Sequence, residues 1–83
     1  MALNERVVRD SLRGFIVREV IRRPGFPLAD NQHIFTALGG HSLEIARLSQ
    51  YIESEFHVTI PQRELTVANM DTLDLIVARV MRG

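Results

Sequence analysis

Apolar side chains recur at helical spacing along three stretches of the chain. The first stretch runs from Leu3 to about Arg22, and its apolar positions share one face: Val8, Leu12, Phe15, Ile16 and Val20. Steps of three and four residues are typical of a helix that buries one side against a core. The pattern therefore predicts a first helix, which the Pro-Gly-Phe-Pro sequence of residues 24–27 ends.

Two further stretches predict the other main helices. The second runs from Ser42 to Glu55, and its stripe is formed by Ile45, Leu48, Ile52 and Phe56. The stripe of the third consists of Leu73, Ile76, Val77 and Val80. Asp71, with Asp74 three residues later, is interpreted as a variant capping pair at the start of this last helix, and Gly83 ends it.

The first two helices are joined by a long connection, from Leu28 to His41. A loop of this length in a compact domain usually has a function or some local structure of its own. We expect Ile34, Phe35 and Leu38 to fold back onto the core and to hold the loop in place. Asp30 is expected to cap a short turn.

The remaining segments complete the predicted fold. Pro61 has the backbone angle of a first helical residue and predicts a short helix over Gln62 to Leu65, whereas residues 56–60 fit a loop better than a strand. The fold class is therefore all-α: a small antiparallel bundle of four helices, three main and one short, with a long first loop. A chain of 83 residues predicts one domain, covering residues 1–83.

Composition restricts the classes of function. Ten arginines balance ten acidic side chains, so the net charge is zero, which argues against a nucleic-acid partner. The absence of cysteine excludes disulfides and thiolate metal sites, and His33, His41 and His57 lack the spacing of zinc ligands. No uninterrupted apolar segment has signal-peptide or membrane-span length, so we expect a cytoplasmic protein with no membrane partner, monomeric by default.

Residues 38–43, Leu-Gly-Gly-His-Ser-Leu, connect the long loop to the second helix. Two adjacent glycines allow a sharp turn and leave the following serine uncrowded, so Ser42 is expected to be accessible. At the helix N-terminus, its side chain is expected to act as a cap, an effect of about 1 kcal/mol. The N–H groups and dipole of the helix also favour an anion there, by about 0.3–1 kcal/mol.

Three interpretations of this motif follow from the residues alone. It is either a turn with a helix cap in an unmodified interaction module, or an attachment point for an anionic group, or the nucleophile of a small serine hydrolase. The hydrolase lacks support because a catalytic serine needs a base and an orienting group. His41 is adjacent in sequence, and adjacent helical positions point in different directions.

Residues 30–43, Asp-Asn-Gln-His-Ile-Phe-Thr-Ala-Leu-Gly-Gly-His-Ser-Leu, resemble the phosphopantetheine-attachment signature of acyl and peptidyl carrier proteins. The similarity continues through Phe-His-Val-Thr-Ile-Pro at residues 56–61, to Leu65, and to Asp-Thr-Leu at residues 71–73. It thus covers most of the chain. The resemblance implies that Ser42 is the covalent attachment site of 4'-phosphopantetheine, supplied from coenzyme A by a separate phosphopantetheinyl transferase.

The resemblance also implies what the modified protein does. The thiol of the prosthetic arm holds an aminoacyl, peptidyl or acyl group as a thioester, and the chain itself catalyses nothing. A loading enzyme, either adenylating or an acyltransferase, supplies the cargo, and downstream synthase or tailoring enzymes use it. Since the chain has no cysteine, the prosthetic group is the source of the thiol.

The partner-binding surface is expected on the solvent face of the helix that begins at Ser42. With the apolar stripe turned inward, Leu43, Ala46 and Gln50 share another face, and Leu43 is the main apolar anchor unless it packs against the loop. By resemblance, the rim contacts are Glu44, Arg47 and Glu53. His41 is expected to contact either the phosphate or a partner.

Charge narrows the resemblance within the family. Carriers of bacterial fatty-acid synthesis are strongly acidic and have an acidic residue before the serine, whereas here His41 precedes Ser42 and Arg47 interrupts the acidic face. The Gly-Gly-His-Ser-Leu sequence is instead similar to carriers of nonribosomal peptide synthesis. We therefore expect a carrier in nonribosomal peptide or hybrid secondary-metabolite biosynthesis, with a polyketide or fatty-acid carrier as the alternative. Both a free-standing carrier and one module of a synthetase stay open.

Overall fold

Four helices form the fold within residues 3–83, the part of the chain that the computed structural model describes. The first two residues of the predicted 1–83 domain lie outside this range. Helix α1 spans Glu5–Phe15, α2 spans Glu44–Phe56, α3 spans Val67–Met70 and α4 spans Leu73–Arg82. No strand occurs in this range, so the all-α prediction is confirmed. None of the helices found there is both long enough and apolar enough to cross a membrane.

The start of α1 is set by a side chain rather than by the apolar pattern. Asn4 has an extended backbone, and its side-chain oxygen accepts hydrogen bonds from the N–H groups of Arg6 at 2.9 Å and Val7 at 3.3 Å. This is the geometry of an N-cap. The helix therefore begins two residues after the predicted start at Leu3.

The first helical segment ends in a π-helical turn, which is wider than the α-helix that the sequence predicts. After Phe15 the chain continues as a π-helical turn over Ile16–Val20, and helical structure stops before the predicted end at Arg22. Arg22 has a left-handed backbone, with φ of 60°, and the next N–H donates to the Val17 carbonyl at 2.9 Å. A left-handed residue followed by this long-range bond is a common way to close a helix.

One apolar core joins all the elements. The predicted stripes of α1, α2 and α4 are buried, except that Phe56 at the end of α2 is half-buried. Ile34, from the long loop, is fully buried, and Phe35 and Leu38 pack against the core as partly buried neighbours. The expectation that these three side chains hold the loop is therefore confirmed.

The segment between α2 and α4 differs in part from the prediction. A short 3₁₀ turn over Gln62–Glu64 occupies the place of the predicted third helix. Helix α3 follows it and was not predicted, because a four-residue helix is too short to show periodicity. Thr66 caps α3 by accepting a hydrogen bond from the N–H of Asn69 at 3.3 Å.

Asp30, expected to cap a short turn, and Asp71, expected to cap the last helix, both have other roles. The carboxylate of Asp30 accepts a hydrogen bond from Arg13 Nη2 at 2.7 Å, an ion pair that holds the beginning of the loop against α1. The cap of α4 is Thr72, whose hydroxyl accepts from the N–H of Leu75 at 3.1 Å. Asp71 is buried and turns towards the long loop. The capping pair of Asp71 and Asp74 is therefore wrong.

Candidate functional site

The two glycines before Ser42 have different structural tasks. Gly39 has a φ of 78°, a conformation that side chains resist. Gly40 is buried, and its N–H donates to the carbonyl of Ile34 at 2.9 Å. A Cβ atom on Gly40 would lie 2.8 Å from that same carbonyl oxygen. The glycine pair thus allows the end of the loop to pack closely against the buried residue Ile34, and the residues that follow lie at the surface.

Gly40→Ala is therefore expected to destabilise the fold more than Gly39→Ala. The Gly40 methyl group would collide with backbone, at a cost of about 2–3 kcal/mol. The Gly39 methyl group would meet no atom within 4 Å and would only strain the left-handed backbone, at about 1 kcal/mol. Chemical denaturation of both variants measures the two free energies of unfolding. Equal losses, or a neutral Gly40→Ala, would contradict the close approach.

Ser42 is exposed, as predicted, but it does not cap α2 with its side chain. The N–H of Leu43 donates to His41 Nδ1 at 3.2 Å, and the N–H of Glu44 donates to the His41 carbonyl at 2.9 Å. The N–H of Ile45 donates to the carbonyl of Ser42 at 3.1 Å. Because each of these N–H groups has another acceptor, the capping prediction is wrong. The Ser42 hydroxyl is left available for chemistry.

The candidate partner-binding side chains lie mostly in solvent. His41, Leu43, Ala46, Arg47 and Gln50 are all exposed, as is the predicted rim residue Glu53. Leu43 is 77% exposed, so it does not pack against the loop. Glu44 is the exception, because its side chain is only 16% exposed.

Glu44 is covered by two arginines. Its carboxylate lies 3.2 Å from Arg22 Nη2 and 2.9 Å from Arg47 Nη1. Arg47 also binds Glu19 at 2.9 Å, and the carboxylates of Glu19 and Glu44 raise the pKa of Arg47 above its ordinary value. The network ties the start of α2 to the π-helical turn, and the side chains of Arg22 and Arg47 stay 67% and 46% exposed.

A shallow groove opens beside Ser42. It is lined by Val20, Ile21 and Arg22 from the end of the first helical segment, and by Gly39, His41 and Leu43 from the chain around Ser42. Sequence reasoning did not include Arg22 in the site. The break after the first helix indicated only a loop there. Arg22 reaches the groove because its backbone is left-handed, and an arginine in a sequence does not predict that conformation.

Asp71 anchors the long loop from the far side. Its carboxylate accepts hydrogen bonds from the Phe35 N–H at 2.7 Å and from the Thr36 hydroxyl at 2.6 Å. It also lies 2.8 Å from His33 Nδ1. Burial alone would raise the pKa of Asp71, but the hydrogen bonds from Thr36, Phe35 and His33 outweigh it and hold the pKa below its ordinary value. Asp71 therefore positions the loop that presents Ser42.

Two histidines of this region are already hydrogen-bonded through their Nδ1 atoms. His41 Nδ1 already accepts a hydrogen bond from the N–H of Leu43. The Nδ1 atom of His33 is bound to Asp71. Within residues 3–83, no group of three or more histidine, aspartate or glutamate side chains is placed to hold a metal ion. What the arrangement offers is an exposed serine on the turn before α2.

Comparison with known proteins gives one match. The sequence model of a family described as "Phosphopantetheine attachment site" matches residues 15–80, which is most of the chain. Neither a curated protein nor a solved structure matches the chain. The matched range contains the glycine pair, Ser42, the groove and the Asp71 anchor.

Proposed function

The chain belongs to the phosphopantetheine attachment site family, and on that premise we propose that Ser42 carries the prosthetic group. Family membership establishes a phosphopantetheine-dependent carrier with 4'-phosphopantetheine as its cofactor. Such domains are modified by a phosphopantetheinyl transferase and interact with partner enzymes. The observation that carries the assignment is the Ser42 hydroxyl, which is exposed and is not the acceptor of the first helical N–H groups.

The residues around Ser42 fit a phosphodiester. Arg22 and His41 are exposed and line the groove that both chain neighbours of Ser42 share, and Arg22 is 67% exposed even while it contacts Glu44. Guanidinium groups suit phosphate oxygens because several donors converge on one anion. When bound, the prosthetic group supplies the thiol that this cysteine-free chain lacks.

The modification is a phosphoryl transfer in which this chain provides only the acceptor. The Ser42 oxygen forms a bond to the phosphorus next to pantetheine, the pyrophosphate bond of coenzyme A breaks, and adenosine bisphosphate leaves. The serine proton passes to a base of the transferase, since His41 Nδ1 is already engaged. The chain then holds cargo for its partners and catalyses no step itself.

The pathway we propose is nonribosomal peptide or hybrid secondary-metabolite biosynthesis, in the cytoplasm and with a monomeric carrier. The Gly-Gly-His-Ser-Leu sequence supports it, together with the zero net charge. The pairing of Glu44 with two arginines adds support, because an acid held in this way cannot provide the free acidic face of a fatty-acid carrier. Loading of the modified protein by an adenylating enzyme, and not by an acyltransferase of fatty-acid synthesis, is the outcome that tests the pathway.

Intact-protein mass spectrometry tests the carrier assignment itself. The unmodified protein is incubated with coenzyme A, Mg²⁺ and a broadly acting phosphopantetheinyl transferase. We expect the addition of a single phosphopantetheine group, located on the peptide that contains Ser42. Attachment at another residue would overturn the site assignment. Repeated absence of attachment, with the chain's own transferase included, would favour an unmodified interaction module.

Leu43→Ala is expected to slow modification without unfolding the protein. Leu43 is 77% exposed beside the attachment residue, so it offers a partner an apolar anchor whose truncation costs about tenfold in kcat/KM for the transferase. Leu75→Ala is the matched control, since Leu75 is also an exposed leucine, on α4. Equal rates for the two variants would remove Leu43 from the docking surface.

A further inference from the structure

The groove beside Ser42 is a candidate binding surface for the attached arm, because both chain neighbours of the attachment residue line it. Its inner wall contains the buried side chains of Val20 and Ile21, and its rim contains the exposed side chain of Leu43. The groove therefore has apolar walls at the point where the arm leaves the protein.

Arg22 gives the groove a cation. Its backbone is left-handed at the end of the π-helical turn, a position where glycine is the favoured residue. An arginine keeps this conformation at a steric cost that glycine would avoid. Its guanidinium uses Nη2 on Glu44 and is otherwise exposed, so it has donors left for a second anion. Strained residues of this kind are often found at binding sites.

We infer that this groove binds the inner part of the pantetheine arm, with Arg22 contacting the phosphodiester and the apolar walls contacting the dimethyl carbon chain next to it. The inference rests on the proposed attachment at Ser42. The opposing charge in the groove is Glu44, and its carboxylate is already shared by Arg22 and Arg47. In this arrangement the arm rests against its own carrier between visits to partners. Arg22 positions the arm by contacting its phosphodiester.

Nuclear magnetic resonance of the modified protein tests this inference. Mass spectrometry first establishes that the group is attached. We then expect amide shifts between unmodified and modified protein at residues 20–22, across the groove from Ser42, and contacts between the pantetheine methyl protons and the methyl groups of Val20, Ile21 and Leu43. In Arg22→Gly, which retains the left-handed backbone, the population of bound arm should fall about two- to fivefold, as for loss of an exposed ion contact.

Arg23→Ala is the matched control. It removes the same charge from the adjacent residue, whose guanidinium lies 5.8 Å from the centre of the Phe26 ring, and it should leave the cross-groove shifts unchanged. Shifts confined to residues next to Ser42, or an equal loss in both variants, would overturn the groove contact while the carrier function stands. Absence of attachment in the mass spectrum would instead overturn the carrier proposal and this inference with it.

Discussion

Replacement of Ser42 by alanine is expected to abolish phosphopantetheine attachment completely and to leave the fold intact. On the proposed assignment the transferase modifies the hydroxyl that follows Gly39 and Gly40, and the alanine variant has no hydroxyl there. The free energy of unfolding should change by less than about 0.5 kcal/mol, as for other surface substitutions. This is smaller than the cost of losing a cap, since the first N–H groups of α2 bond to His41 and to the Ser42 carbonyl. Intact mass and chemical denaturation measure the two effects.

Ser54→Ala provides the control for this experiment. Ser54 is exposed on α2, twelve positions after Ser42, so its substitution removes an equivalent hydroxyl away from the turn. It should be modified at the wild-type rate. If Ser42→Ala were still modified, the attachment residue would be wrong even though the family is right. A loss of stability near 1 kcal/mol in Ser42→Ala would indicate that the Ser42 side chain caps α2 after all, contrary to the hydrogen bonds of the structure.

Periodicity predicted the features of this fold that depend on a single helix, namely which face of each main helix is buried. The buried stripes of α1, α2 and α4 follow from steps of three and four residues, which depend only on helix geometry. The buried loop anchor Ile34 was also predictable, because a long loop in a small domain must place its apolar side chains somewhere. Ser42 was placed at the surface by the glycine pair before it.

Periodicity could not predict the contacts that join distant segments. His41 and Ser42 are both able to cap a helix, and the choice between them depends on how Gly40 seats the loop on Ile34. Asp71 sits where a capping residue is expected, one position before Thr72, and only the loop's position shows that its carboxylate is used elsewhere. The residues that support the site are therefore the ones that sequence patterns identify least well.

Asp71→Ala is expected to give the largest loss of stability, about 3 kcal/mol. The substitution removes the acceptor of the Phe35 and Thr36 N–H groups and of the Thr36 hydroxyl. One hydrogen bond to a charged group contributes about 1.5–3 kcal/mol, and the losses do not add in full because Thr36 is exposed and its freed groups bond to water. The loss would be a large part of the stability of an 83-residue domain, which is about 4–12 kcal/mol. Chemical denaturation gives the size of the effect.

The pH dependence of stability tests the charge on Asp71 separately. Its pKa is lowered in the folded state, so its contribution is fully present above the unfolded pKa, about 3.9. That contribution disappears as the pH falls through the lower folded pKa. Asp71→Asn should therefore flatten the acid side of the stability curve. Part of the slope should persist, because ion pairs with Arg13 and Arg79 also lower the pKa values of Asp30 and Glu64.

Asp74→Ala separates the loop anchor from the capping pair that the sequence suggested. Asp74 is exposed and binds Arg9 Nη1 at 2.7 Å, so its loss should cost less than about 1 kcal/mol. If the two aspartates were a capping pair, loss of either one would destabilise α4. If Asp71 anchors the loop, its loss destabilises the loop that holds Ser42. Amide exchange should therefore accelerate at residues 34–40 in Asp71→Ala and stay unchanged there in Asp74→Ala. Faster exchange confined to the first turn of α4 in both variants would contradict the anchor.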